Sequence, residues 1–404
     1  MSSARERLHL EANRDENASV TSIELFFDLV FVFALTQVTQ ALANDLSWRG
    51  VLRAVLLMGL LWWSWVGYAW LFNVLRADEG SVRIVLFAAM GAMFVLSLSI
   101  PEAFDDFTGG LSGPVVVALC YFFFRALHLT IFWIISSDDP GLRRQLIRFT
   151  PAVVGATALL LIASTVEGRA QTLLWAGALL VDYGGTYLGG ATGWRLQSAS
   201  HFAERHGLII IVALGESIVA VGVGAADLPI SWPIIVASLL GLTVAGALWW
   251  AYFDVVSLEA EHAVARRTGA DQARIARDAY SYLHFPLITG IVLLALGLKK
   301  VLEYVGDAEH HELSDPLTGI GLYALYGGVV MYLIGQVAFK ARTVGTVNPI
   351  RLGAAAILLA LIPVAAQVPA LAALAILTAV MVVVIAIETF RFADIRDEVR
   401  HGTH

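Results

Sequence analysis

VTSIELFFDLVFVFALTQVT, residues 20–39, is apolar along nearly its whole length, yet it carries two carboxylates, Glu24 and Asp28. A helix that crosses a bilayer takes about 20 mainly apolar residues, and this run has the length. The i, i+4 spacing puts both carboxylates on one helix face, and Thr39 continues the stripe. A charge in hydrocarbon costs roughly 2.5–3.5 kcal/mol on insertion scales, so such groups face the protein interior and seek partners. Glu24, one turn nearer the start, also suits the positive helix N-terminus. Asp28 lies deeper and is the stronger candidate for an interior role.

The same pattern repeats outward along all 404 residues, of which 58% are hydrophobic and 15% charged. Soluble domains carry roughly 25% charged residues. Twelve apolar runs are predicted to span: 22–43, 51–73, 82–104, 114–136, 147–165, 170–190, 206–225, 232–255, 280–302, 317–339, 349–366 and 369–390. Loop charge supports this count. With the N-terminus inside and every run spanning, 20 of the 26 Lys and Arg residues fall on the inside, as the positive-inside rule requires. The outer loops lean acidic, and the one carrying Glu303, Asp307, Glu309, Glu312 and Asp315 also holds His310 and His311. That loop is either a solvated acidic surface or a weak attractor of cations.

The fold expected is an all-α integral membrane protein with both chain ends in the cytoplasm. A cytoplasmic N-terminal segment (1–21) precedes one six-helix half (22–200), a second (201–392) and a cytoplasmic tail (393–404). LLWWSW at 60–65 answers LWWAYF at 248–253. Arg148-Phe-Thr-Pro151 answers Asn348-Pro-Ile-Arg351, each opening a helix, and the Asp28 segment can be laid on the Glu216 segment. Two halves of six helices share one orientation, the parallel-repeat plan of some transporters.

Other ionisable residues fall at membrane depth. Tyr121, Arg125 and His128 share a face of the fourth helix. Arg125 requires a carboxylate, and Glu216, Asp182 or Asp28 lies at suitable depth. In the sixth helix Asp182 is followed by five glycines, which fit close packing or a broken helix. The seventh opens with His201-Phe-Ala-Glu204-Arg205-His206 and continues to Glu216, about 16 Å beyond Arg205 at 1.5 Å per residue. Glu216 is thus left to meet a charge from another helix. His128 and His206 suit proton relay or a satisfied interior.

VTSIELFFDLVFVFALTQVT and HFAERHGLIIIVALGESIVAVG (201–222) resemble the bacterial low temperature requirement protein A family. The resemblance covers nearly the whole chain. It implies a multispanning protein of the bacterial cytoplasmic (inner) membrane, linked by name to growth in the cold. Its motifs carry over to Glu24, Asp28, Glu204, Arg205, His206, Gly215 and Glu216.

Composition excludes some functions. The net charge of -7 offers no basic surface for nucleic acid. The single cysteine, Cys120, cannot form an intrachain disulfide. No P-loop is present for ATP coupling. The reading preferred is a proton-coupled secondary transporter of a small solute or ion, with Glu24, Asp28, Arg125, His128, Asp182, Glu204, Arg205, His206 and Glu216 as its pathway. Its partner is the lipid bilayer, a homo-oligomer is left open, and no cofactor or metal is expected. A membrane-embedded enzyme acting on lipid is the first alternative. Glu259-x-x-His262 and His201-x-x-Glu204 would then supply metal-ligand spacing. A non-transporting sensor or lipid-organising protein is the second.

Overall fold

The computed structural model describes residues 19–392 apart from 79, 81 and 227. The C-terminal tail and most of the N-terminal segment lie outside the described residues, as do the basic residues counted there. Every described element is helical: α1 (Ser22–Asn44), α2 (Trp48–Val74), α3 (Val82–Leu98), α4 (Gly113–Ile135), α5 (Pro140–Ala163), α6 (Gly168–Gly189), α7 (Ala199–Ala225), α8 (Trp232–Phe253), α9 (Val256–Ala265), α10 (Gly269–Ile275), α11 (His284–Gly306), α12 (Gly319–Thr343), α13 (Pro349–Ala365) and α14 (Ala370–Arg391). A π-helical segment, Ala276–Tyr282, joins α10 to α11.

Among the described residues, nine helical segments are long and apolar enough to cross a membrane. Val82–Leu98 and Pro349–Ala365 are apolar but shorter. Gly168–Gly189 has the length, but glycines and Asp182 dilute its apolarity. Large apolar side chains such as Leu180, Leu188 and Ile84 are more than two-thirds exposed. Lipid is the solvent that tolerates such a surface. The chain is a multispanning membrane protein.

The chain divides into two compact units. The first holds α1 up to Ala41, Arg49–Arg205 and Val264–Ser281. Here α3 packs on α4, α4 on α5 and α5 on α6. α2 is buried over 89% of its apolar window, against 44% for α1, α4 and α5, so protein rather than lipid surrounds it. The second unit holds Leu42–Trp48, His206–Ala263 and the chain from Tyr282 onward. In it α11 packs on α12, α12 on α13 and α13 on α14, while α8 lies against α11 and α14.

Local chemistry sets the helix ends. At the start of α1, Thr21 donates twice to one Glu24 oxygen, from its hydroxyl at 2.9 Å and from its N–H at 3.4 Å. α3 stops at Leu98, short of the expected 104: Pro101 has no N–H to continue the α-helix, and Ile100–Glu102 tightens into a 3-10 turn. α5 starts at Pro140 rather than 147, with Asp139 capping Gly141 and Leu142 through its side chain. Pro151 therefore lies inside the helix, and Arg148-Phe-Thr-Pro151 does not open it. Asn348 caps α13 through its side chain in the same way, also just before a proline, Pro349. The glycines after Asp182 do not break the helix. α6 runs on to Gly189, Gly185 packs on Ala152, and Gly190 ends the helix with φ 76°.

One buried ion pair of the second unit has no counterpart among the sequence expectations. Arg351 donates from Nε and Nη2 to the two Glu388 oxygens, each at 2.8 Å. Its Nη1 donates to Gln336, and Asn348 Nδ2 donates to Glu388 at 2.7 Å. The four groups tie α12, α13 and α14 together at one end.

In the loop after α11, His310 Nδ1 sits 2.9 Å from Asp307 Oδ2. Their hydrogen bond raises the His310 pKa above its ordinary value and lowers that of Asp307. The stabilisation is therefore lost as pH rises through the raised histidine value, and again as pH falls through the depressed carboxyl value. Proton NMR is expected to show His310 titrating at lower pH in Asp307→Asn. An unchanged midpoint would remove the pair.

Candidate functional site

Helix periodicity alone puts Glu24 and Asp28 on one face of α1. In α7, His201 and Arg205 have the same i, i+4 spacing, and the two pairs meet in register. Arg205 grips Asp28 with two parallel bonds, Nη1 to Oδ2 at 2.8 Å and Nη2 to Oδ1 at 2.9 Å. Its Nη1 also donates to the Glu24 carbonyl at 3.1 Å. His201 Nε2 lies 2.9 Å from Glu24 Oε2. From α2, the Trp65 indole N–H donates to Asp28 Oδ1 at 2.8 Å. The guanidinium carbon stands 5.4 Å from the Trp65 ring centre and 5.2 Å from that of Phe72. All four ionisable side chains are fully buried.

Burial makes the charge count of this cluster consequential. Two carboxylates face one guanidinium, so one further proton, shared between His201 and Glu24, makes the group neutral. Without it, a net negative charge is left where desolvation costs several kcal/mol per ion. The charge of the cluster thus turns on one proton beside a fixed ion pair.

A second cluster in the same unit joins α4 to α6. Arg125 Nη2 donates to Asp182 Oδ1 at 3.3 Å, and the Tyr121 hydroxyl donates to the other Asp182 oxygen. Of the three carboxylates open to Arg125 on depth alone, Asp182 is the partner. Arg125 Nη1 also reaches the Trp63 carbonyl at 3.3 Å, and its guanidinium lies 5.1 Å from the Phe149 ring centre. His128, one turn further along α4, is fully buried, and neither ring nitrogen has a hydrogen-bond partner. The Gly67 backbone comes near that ring without hydrogen-bond geometry. A Cβ at Gly67 would stand 2.8 Å from Arg125 Nη1 and 3.2 Å from the His128 ring, so the close approach of α2 needs glycine there. Between the two clusters runs an aromatic wall. Phe27 lies 5.0 Å from Tyr68, Tyr68 4.4 Å from Phe124, and Tyr68 5.5 Å from His128, centre to centre.

The remaining expected residues lie apart. Glu204 is exposed on α7 and accepts the Val20 N–H at 3.1 Å. His206 and Glu216 belong to the second unit. The His206 ring centre is 5.2 Å from that of His284, which pairs with the Tyr252 hydroxyl at 2.8 Å. Buried Glu216 lies within electrostatic reach of Lys299. Among the described residues, no three His, Cys, Asp or Glu side chains gather as a metal site.

His201 and Trp65 are members of the first cluster that a pathway reading of the sequence leaves out. The signal for His201 was available, since its spacing from Arg205 copies that of Glu24 from Asp28. Trp65 offered none beyond its place among neighbouring tryptophans.

Comparison with known proteins comes out consistently. The model of the family described as bacterial low temperature requirement A protein (LtrA) matches residues 19–386. An uncharacterized protein of Rhizobium meliloti (strain 1021) is 29% identical over 349 residues, covering 82% of this chain and 80% of the relative. No solved structure matches.

Proposed function

The chain belongs to the bacterial low temperature requirement A family, and on that footing we propose that it is a proton-coupled secondary transporter of a small solute. One observation carries the reading: the buried Glu24–Asp28–His201–Arg205 cluster, whose charge balances only when one proton is added. A purely structural ion pair needs one acid and one base. This cluster has a second acid, and a histidine against it.

In this reading the nine long spans are joined by α3, α6 and α13, giving twelve crossings. Both ends then lie on the cytoplasmic side of the inner membrane. Two parallel six-helix repeats fit the matched Asp139-Pro140 and Asn348-Pro349 caps. α6 is the least apolar of these spans, and its Asp182 is already neutralised by Arg125.

Sealed proteoliposomes with an internal pH dye, screened against a panel of small solutes, test the proposal. The wild type is expected to give a solute-dependent proton signal. Glu24→Gln keeps the Arg205–Asp28 pair balanced while removing the proton site, and is expected to lower the signal about tenfold or more, a barrier change of about 1.4 kcal/mol. Glu204→Gln, at the exposed position, is expected to change nothing. Silence from folded wild-type protein across the panel, or equal signals from wild type and Glu24→Gln, would overturn the transporter reading.

A further inference from the structure

Three features of the first unit converge on one cavity. Its volume is about 40 Å³, and its walls include the rings of Trp63, Trp70, Trp194 and Phe149 together with Arg125 and His128. That is room for a ligand of a few heavy atoms, since one water needs about 10–15 Å³ on this measure. A wider cavity, about 390 Å³, shares Trp70 and Trp194 with it and is lined by Asp138, Asp139 and Arg195 of the flanking loops. The two indoles thus border both the inner space and a polar outer one.

The polar inventory of the inner cavity is unbalanced in one direction. A neutral imidazole needs one acceptor and one donor, and His128 finds neither. Arg125 Nε–H also lacks an acceptor. Protonating His128 would give three unmet donors and no unmet acceptor. The fixed charges already cancel, with Arg125 held by Asp182 and Arg277 held by Asp278 at 2.7 Å. A bare anion would thus leave the cavity negative, and a bare cation would leave it positive beside two guanidiniums. An anion arriving with one proton leaves it neutral and satisfies the donors. The groups facing His128 are Arg125 on its own helix, Tyr68 from α2 and Arg277 across the cavity, with Asp182 behind Arg125. None of these is a free base that would take the proton instead.

We propose that this cavity binds a small planar monoanion of the carboxylate class together with one proton, with His128 and Arg125 as its donors and the indoles as its walls. The inference deepens the transport reading and rests on it for the ligand's role, whereas binding is measured without transport. The side chains assigned here are separate from the Glu24–His201 site.

Purified full-length protein in detergent would be titrated with sodium acetate in weak buffer, following tryptophan fluorescence and proton uptake together. Saturable quenching with about one proton taken up per acetate is expected. His128→Gln should weaken binding about tenfold and remove the proton uptake. Trp194→Leu, at a partly buried loop position, should remove most of the quenching. Acetamide and methylammonium serve as neutral and cationic probes. Equal binding of either probe, acetate binding without proton uptake, or no saturable binding to folded protein would each overturn the proposal. Acetate binding with no proton flux across the whole solute panel in vesicles would leave the site standing and remove the transporter reading. Flux with no acetate binding would do the reverse.

Discussion

Arg205→Met is expected to cost about 3–5 kcal/mol of stability, the range for removing one partner of a buried ion pair. The geometry places this position at the severe end. Arg205 is fully buried, makes two bonds to Asp28 and one to the Glu24 carbonyl, and lies between two aromatic rings. Its loss leaves Asp28 with only the Trp65 N–H. The double variant Asp28→Asn with Arg205→Met is expected to recover much of the loss. The amide oxygen still accepts from Trp65, and Glu24 keeps its contact with His201. Chemical unfolding in detergent, read as a double-mutant cycle, measures this. If Arg205→Met unfolds within about 1 kcal/mol of wild type, the exposed-pair range, the cluster is not the buried network described.

Opposite effects are expected at two adjacent glycines of α12. A Cβ at Gly328 would stand 2.6 Å from the Gly290 carbonyl oxygen and 2.6 Å from Leu294 N, backbone atoms of α11 that cannot turn aside. Gly290 mirrors it, with Gly328 O at 2.6 Å and Tyr332 N at 2.9 Å. Small residues let these backbones touch, which is how helices associate where no hydrophobic force acts between them. Gly328→Ala should therefore cost about 1–3 kcal/mol, the usual range for overpacking. A Cβ at Gly327 meets nothing within 4 Å. There alanine should be neutral or gain up to about 1 kcal/mol through helix propensity. Thermal unfolding of the two variants side by side decides it. Equal shifts would mean that α11 and α12 are not in backbone contact.

The transport reading and the cavity reading meet in α2. Its tryptophans point to different neighbours: Trp65 to Asp28, Trp63 to Tyr183 at 3.9 Å between ring centres, and Trp62 and Trp70 to Ser281. An interface belt accounts for tryptophans at membrane edges. These four are buried instead, and their N–H groups or faces are spent on interior partners.

Apolar run length was enough to locate the helices, because it depends only on bilayer thickness. Each of the twelve expected runs contains a helix, and helix period alone put Glu24 with Asp28, and Tyr121 with Arg125 and His128. Periodicity says which face of its own helix a residue occupies. It is silent on which neighbour that face meets, because that depends on how far helices slide and rotate against each other. Asp182 was one of three carboxylates within reach of Arg125 until the packing of α4, α5 and α6 selected it. Arg205 opened the seventh helix and counted among the inside charges, since a charge at the edge of an apolar run reads the same whether it is solvated or buried. Only tertiary structure buried the opening turns of α7, because pairing with the α1 carboxylates repays the burial of His201 and Arg205. For the same reason the Arg351–Glu388 pair left no trace in the sequence: its partners are 37 residues apart, and packing alone brings them together.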